Sequence, residues 1–237
     1  MKEIELTILM PCLNESRSLA WCLKEGETYV KTNGISAEIV VADNGSTDES
    51  PRIARECGAR VVTVAEKGYG NALIAGIRES RGKYIIMGDC DGSYDFSQCG
   101  FILEKLREGY GLVVGNRYQG GIEKGAMPFW HRYFGVPLLS LMGRWRYQVE
   151  IGDFHCGIRG FDRRKALSLN LQCGGMEFAT ELIGKFAKSG EKVCQVPVRL
   201  RRDLRGGPSH LRAIPDGWRH VRLMLSRDGC VTGRSLH

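Results

Sequence analysis

No hydrophobic run in this chain is long enough to cross a bilayer. The longest apolar stretch, around Phe134 to Met142, falls short of the roughly 20 residues a spanning helix requires. A secretory leader is also missing: the N-terminus runs directly into Ile4-Glu5-Leu6-Thr7-Ile8-Leu9-Met10, a strand-like segment with no n-region or cleavage pattern. The nine cysteines are odd in number, scattered and without a Cys-x-x-Cys pair, which argues against a disulfide framework of the secreted type. There is no internal repeat, low-complexity tract or obvious linker. No Gly-x-Gly-x-x-Gly follows the first strand, which excludes a dinucleotide-binding dehydrogenase. The Gly-rich, Arg/Lys-containing phosphate loop expected there in a nucleotidyltransferase is absent too. These absences predict a cytoplasmic protein without a membrane span of its own.

What the chain does contain is a substantial apolar core and a late excess of arginine. Its 237 residues are 43% hydrophobic and 26% charged, with a net charge of +7. Arg199, Arg201, Arg202, Arg205, Arg212, Arg219, Arg222 and Arg227 fall within the last forty residues or so. Such a surface is either simply solvated or suited to phosphates and anionic membranes, because guanidinium binds phosphate in a bidentate manner. Nucleic acid is not an expected partner, since no recognition-helix or RNP-like pattern accompanies the charge.

Short β-rich runs alternate with helical segments, the pattern of an α/β protein with parallel strands. Strands are expected at Ile4–Met10, Ala37–Ala42, Arg60–Val64, Lys83–Met87 and Gly111–Val114, with helices near 15–31, 47–57, 70–80 and 96–108. The strands are almost wholly apolar, as when both sheet faces are covered. Beyond Gly115 come a Gly-rich stretch, an aromatic segment from Phe129 to Tyr147, a strand-and-loop region at Asp153–Phe161, a helix near 176–188 and a strand near 191–198. A basic loop after Arg201 leads to a final helix, Pro215 to Ser226. Helical periodicity puts Trp218, Val221, Met224 and Leu225 on one side, with Asp216, Arg219, His220, Arg222 and Ser226 opposite. That helix either docks on the domain or lies on an anionic membrane.

Ligands of open α/β sheets bind beyond the carboxyl ends of the strands. Three polar segments fall there: Pro11-Cys12-Leu13-Asn14-Glu15, Asp43-Asn44-Gly45-Ser46-Thr47-Asp48 and Gly88-Asp89-Cys90-Asp91-Gly92. Ser46–Asp48 also reads as a helix cap. Asp89 and Asp91 follow the apolar strand Tyr84-Ile85-Ile86-Met87. Two carboxylates one residue apart at a strand end can hold a hard divalent cation through oxygen, although a turn alone also accommodates the triplet.

These segments, with Lys67-Gly68-Tyr69-Gly70-Asn71-Ala72 and Gly115-Asn116-Arg117-Tyr118, resemble family-2 inverting glycosyltransferases of the GT-A fold. Within that family the chain looks most like the bacterial relatives of dolichyl-phosphate mannose and glucose synthases. The likeness continues through Asp153–Arg159, Met176–Glu181 and Arg205–Arg212, and so covers most of the chain. It implies a Rossmann-like, mostly parallel sheet flanked by helices, with a C-terminal basic amphipathic helix. Residues 1–200 would form the GT-A domain, with 1–117 binding nucleotide sugar and 118–200 the acceptor; 201–237 would be the basic loop, helix and polar tail.

The resemblance also implies roles. Pro11, Leu13, Asn14 and Glu15 would line the nucleoside pocket, Asp43 would read the base, and Lys67 and Gly68 would close around ribose or phosphates. Asp89, Cys90 and Asp91 would meet the sugar diphosphate, the two aspartates through Mg²⁺ or Mn²⁺, and Glu177 the sugar hydroxyls. Arg117, Arg132, His155, Arg202 and Arg205 would hold an anionic acceptor, and the reactive centre would comprise Asp89, Asp91, Arg117 and Asp153. The donor would be a UDP- or GDP-sugar and the acceptor a polyprenyl phosphate. A prenyl phosphate is already nucleophilic near neutral pH and needs no base. A soluble hydroxyl acceptor would need one, Asp153 or Glu177. Close relatives continue from a Gly-Trp-Arg-His-like helix into membrane anchors, whereas Gly217-Trp218-Arg219-His220 leads here to a polar tail. The expected placement is therefore cytoplasmic, peripheral on the inner membrane face through this helix if the acceptor is a lipid.

Overall fold

A computed structural model describes residues 3–206 and 213–226. Residues 207–212 and 227–237, which include Arg212, Arg227 and most of the expected polar tail, lie outside the described residues.

Seven strands form one sheet: β1 (Leu6–Cys12), β2 (Ala37–Asp43), β3 (Arg60–Thr63), β4 (Tyr84–Met87), β5 (Leu112–Asn116), β6 (Arg159–Asp162) and β7 (Val193–Pro197). Their order is β3-β2-β1-β4-β6-β5-β7. β1 pairs in parallel with β2 and β4, β2 with β3, and β5 with β7, while β6 runs antiparallel to both its neighbours, β4 and β5. Every residue of β1, β4 and β5 is buried, which is why these segments read as almost wholly apolar runs.

Helices α1 (Leu19–Thr32), α2 (Ser50–Glu56), α3 (Tyr69–Glu79) and α4 (Cys99–Arg107) connect the first five strands. Short α5 (Arg117–Gly120) begins where the Asn116 side chain accepts hydrogen bonds from the Tyr118 and Gln119 N–H groups, a side-chain N-cap. A π-helical turn, His131–Gly135, leads into α6 (Val136–Tyr147). Then come α7 (Arg163–Ser168), α8 (Phe178–Lys188) and α9 (Ala213–Leu225). None of the described helices is long and apolar enough to cross a membrane.

The first five strands lie within about two residues of their expected positions. α5, α6 and α7 were not anticipated. α6 escaped because its outward side is itself apolar: Leu138, Leu141 and Trp145 are all exposed, so the sequence lacks the alternation of a surface helix.

The last helix docks on the domain, but not by the face expected. Asp216, His220, Leu223 and Met224 are buried, whereas Trp218 and Leu225 stand in solvent. Two anchors explain the rotation. His220 Nδ1 lies 2.8 Å from Thr180 Oγ1 on α8, and Arg146 Nε on α6 donates to the Met224 carbonyl at 2.9 Å. Buried polar groups are tolerated where they find such partners. The outer side of α9 thus joins a ledge of exposed apolar side chains with α6 and the π-turn, where Trp130 is 71%, Trp145 75% and Trp218 67% exposed. Phe129, Trp130, Tyr133 and Phe134 pack ring against ring on that ledge.

Candidate active site

The carboxyl ends of β1, β2, β4 and β5 open onto one cavity of about 930 Å³. Pro11, Leu13, Glu15, Asn44, Lys67 and Gly68 line one part of it; Asp89, Cys90, Asp91 and Arg117 form its middle. Trp130, Phe134 and Leu139 carry its wall out to the apolar ledge, and Arg159, His155 and His220 also line it.

On the β1–β2 side, two loops are stapled by side-chain to main-chain bonds. The Glu15 N–H donates to Ser50 Oγ at 2.9 Å and the Ser16 N–H to Asp48 Oδ2 at 3.0 Å. Asn14, at φ 57°, donates its N–H to Ser46 Oγ and accepts from the Thr47 N–H at 2.7 Å. Asn14 is therefore a fastener, and it does not line the cavity. Asp43 likewise stands back from the lining and accepts from the Ser46 N–H at 3.1 Å, whereas its neighbour Asn44 lines the cavity. The Asn44 amide accepts from the Gly68 N–H at 2.7 Å, and Lys67 Nζ donates to the Asn44 carbonyl at 2.7 Å. Gly68 sits at φ 138°, where a Cβ would collide with the Gly174 carbonyl, so only glycine serves there.

Asp89 and Asp91 face the cavity on either side of Cys90. Asp89 Oδ1 accepts from the Tyr69 hydroxyl at 3.0 Å. Burial, reinforced by the Asp91 charge, pushes the Asp89 carboxyl up to about 6. Asp91 Oδ1 accepts from the Ser93 N–H at 2.9 Å, and its Oδ2 lies 3.0 Å from Arg205 Nη2. The same guanidinium lies 3.4 Å from Glu15 Oε1. Burial raises Glu15 to about 7, with Arg205 opposing the rise. Arg205 works against its own desolvation, and the Asp91 and Glu15 carboxylates hold its pKa above the ordinary value.

This cluster bears directly on a divalent cation. Among the described residues no group of three or more His, Cys, Asp or Glu could hold a metal by itself. Magnesium, however, typically takes one or two carboxylates and completes its octahedron with water and substrate phosphates. Asp89 and Asp91 offer that donor set, and Arg205 shows that the spot beside Asp91 calls for positive charge. The residues fit the ion.

Arg117 is held from below. Its Nε and Nη2 donate to Asp153 Oδ2 and Oδ1 at 2.7 and 2.8 Å, and its backbone N–H adds a third bond to Oδ2 at 3.2 Å. Asp153 is fully buried and does not line the cavity. Both its oxygens are thus committed to Arg117, which presents itself to the cavity as a fixed cation. His155 lines the cavity and is half-buried.

Besides Asn14, Asp43 and Asp153, three further expected site residues are not brought to the lining. Arg132 stands over the Tyr133 ring, 5.3 Å from its centroid. Arg202 turns to the Lys124 carbonyl at 2.6 Å. Glu177 precedes α8 and accepts weakly from the Gly175 N–H at 3.3 Å. In their place the structure supplies Tyr69, Asn44, Arg159 and His220. All four lay inside segments already singled out, but only as parts of a resemblance. Arg159 and His220 carried no sequence signal of depth, because charged and imidazole side chains are mostly exposed. Arg159 is nevertheless 1% exposed, and it spends its guanidinium on the Cys156, Ala179 and Phe154 carbonyls.

Comparison with known proteins agrees with this architecture. Residues 7–168 match the model of glycosyl transferase family 2. The low-salt glycan biosynthesis hexosyltransferase Agl6 of Haloferax volcanii is 38% identical over 93% of this chain, which spans only 53% of Agl6. The dolichyl-phosphate hexose transferase of the same organism is 28% identical over 90% of this chain and 89% of its own length. Among solved structures, glucosyl-3-phosphoglycerate synthase from Mycobacterium tuberculosis, in complex with Mn²⁺, UDP and glucosyl-3-phosphoglycerate, superposes with a TM-score of 0.70. That match has 21% identity and covers 93% of this chain and 77% of the synthase. With most of its length matched by the family model and a strand order that brings the acidic pair and Arg117 to one rim, this chain belongs to glycosyl transferase family 2.

Proposed function

We propose that the protein transfers a hexose-type sugar, with inversion, from a UDP- or GDP-sugar to a polyprenyl phosphate at a membrane surface. The observation that carries this reading is the continuity of one cavity: it runs from the acidic pair, past a fixed arginine, to an exposed aromatic ledge. A nucleotide sugar suits the first part and a lipid phosphate the last.

Asp89 and Asp91 would hold Mg²⁺ or Mn²⁺. When bound, the ion supplies charge neutralisation for the departing diphosphate. The other tasks fall to the chain. The Pro11–Glu15 loop, Asn44, Lys67 and Gly68 receive the nucleoside and its phosphates. Tyr69 orients the Asp89 carboxylate. Arg117, which keeps its geometry because Asp153 grips it, presents a cation to the acceptor phosphate in a site that needs no rearrangement at the moment of reaction. The phosphate oxygen attacks the anomeric carbon in a single displacement.

A soluble hydroxyl acceptor fits less well, because it needs a carboxylate to take its proton. Asp153 has both oxygens engaged by Arg117, and Glu177 lies off the cavity lining. The ledge supports a peripheral membrane position. Trp and Tyr favour the membrane interface, and Arg222 stands exposed beside Trp218 on the outer side of α9.

The test is a donor screen with UDP-Glc, UDP-GlcNAc, UDP-Gal and GDP-Man against a short polyprenyl phosphate, with Mn²⁺ or with chelator, for wild type and Asp91→Ala. Transfer that needs the metal and is lost in the variant is expected. Sugar transfer confined to soluble hydroxyl compounds would overturn the acceptor.

A further inference from the structure

His155 and His220 form a pair that the scheme above leaves unused. His155 lines the cavity and is half-buried, and its ring Nε2, itself shielded from solvent, has no hydrogen-bond partner. His220 comes from α9 and meets that ring edge-on, with centroids 4.4 Å apart and planes at 83°. His220 is itself fixed by the 2.8 Å contact to Thr180, a fully buried residue of α8. A buried polar atom without a partner is uncommon and costly, so the orphan nitrogen of this cavity-lining residue points to a partner that arrives with the ligand.

The charge state narrows that partner. Burial first, then the neighbouring His220, Arg159 and Arg117, hold His155 well below the ordinary imidazole range. Burial and Arg159 bring His220 down to about 4. Both rings are therefore uncharged near neutral pH. A neutral ring nitrogen offers either one N–H or one lone pair. A hydroxyl can answer either, whereas a phosphate dianion can answer only the first.

The backbone narrows it again. Two residues beyond His155, Gly157 packs so closely on the diphosphate side that a methyl group there would collide with Asp89 Oδ2. The Gly157 N–H is held by the Tyr94 hydroxyl at 2.8 Å. The His155 loop is thus anchored beside the carboxylate that would meet the diphosphate, and the group bonded to that diphosphate is the sugar.

We propose that His155 is a specificity-determining residue whose Nε2 hydrogen-bonds one uncharged hydroxyl of the transferred hexose, and that His220, braced by Thr180, is the positioning residue for that ring. This rests on the hexose-transfer reading above.

The experiment pairs protein variants with altered donors. Wild type, His155→Ala, His155→Asn, His220→Phe and Thr180→Val are assayed with the accepted nucleotide hexose and its monodeoxy analogues, and binding of each donor and of the free nucleoside diphosphate is measured separately. Deleting one hydroxyl is expected to lower kcat/KM about tenfold in wild type, the loss of one net hydrogen bond, and to change nothing further in His155→Ala. His220→Phe keeps the ring contact but loses Thr180, and Thr180→Val loses the same bond from the other side. Both are expected to blunt discrimination at that same hydroxyl while leaving nucleoside diphosphate affinity unchanged. His155→Asn is expected to recover part of it. Additive losses for every deoxy donor, or an effect on acceptor KM alone, overturn the proposal while leaving sugar transfer intact. A protein that binds and transfers no nucleotide hexose overturns both. Circular dichroism identifies any variant that misfolds, and the remaining variants then decide.

Discussion

Asp153→Asn separates two jobs that a carboxylate near an acceptor can perform. Asp153 is fully buried and Arg117 retains 10% side-chain exposure, with the two joined through both carboxylate oxygens at 2.7 and 2.8 Å. Asparagine keeps one acceptor but turns an NH₂ group toward a guanidinium N–H and removes the compensating charge. Removing one partner of such a pair costs about 3–5 kcal/mol. For a chain of this size each kcal/mol lowers Tm by about 2–4 °C, so a drop on the order of 10 °C is expected. The double variant Arg117→Met, Asp153→Leu fills similar volume with apolar atoms and is expected to recover most of that stability, because a buried pair replaced as a unit is often neutral. It should nevertheless raise acceptor KM strongly, since the fixed cation is gone. Thermal denaturation and steady-state kinetics with varied acceptor measure both. If Asp153→Asn instead melts like wild type while kcat falls about a hundredfold or more and a limb of the pH–rate profile disappears, Asp153 is a general base and the argument for a phosphate acceptor fails.

Three further outcomes follow from the same geometry. Glu15 at about 7 and Asp89 at about 6 keep their protons to higher pH in the fold than when unfolded. The native state therefore binds more protons between about pH 4 and 7, and metal-free stability should fall as pH rises through that window. Asp89→Asn should flatten the fall, read as Tm against pH; a wild-type Tm that rises steadily from pH 4 to 7 contradicts the assignment. Gly157→Ala should displace the Asp89 carboxylate and weaken Mn²⁺ binding at least tenfold by calorimetry, and wild-type affinity in a folded variant would show that Asp89 is no ligand. Trp145→Ser with Trp218→Ser should reduce flotation with anionic vesicles several-fold, while transfer to a detergent-dispersed short-chain acceptor stays near wild type; equal flotation removes the ledge from the membrane contact.

Much of the cavity rim on the β1, β2 and β4 side could be read from the sequence because depth and polarity coincide there. The carboxyl-terminal halves of β1, β2 and β4 are apolar up to the residue at which they leave the sheet, so the polar groups that follow mark the rim. The division of labour within those motifs could not be read. Asp43 and Asn44 are adjacent, and only the turn geometry decides that Asn44 faces the cavity while Asp43 caps its own loop. Arg202 and Arg205 are equally basic; Arg205 reaches Asp91, and Arg202 folds back on Lys124. α9 was rotated relative to expectation because hydrophobicity alone ranked its faces, whereas Thr180 supplied a buried partner for a histidine.

The reversed strand β6 has a consequence for how the chain is made. It fills the slot between β4 and β5, with Tyr84 opposite Asp162 and Leu112 opposite Phe161. On a ribosome β4 and β5 emerge well before the segment that lies between them. Until Arg159–Asp162 follows, both expose bare edges of unpaired amides and carbonyls in strands that are otherwise apolar, the configuration most open to pairing with another nascent chain. A truncation ending before residue 159 should therefore aggregate even though it retains the acidic pair and Arg117. The middle of the sheet stays open until its reversed strand arrives, and the outer edge of β5 until β7 follows.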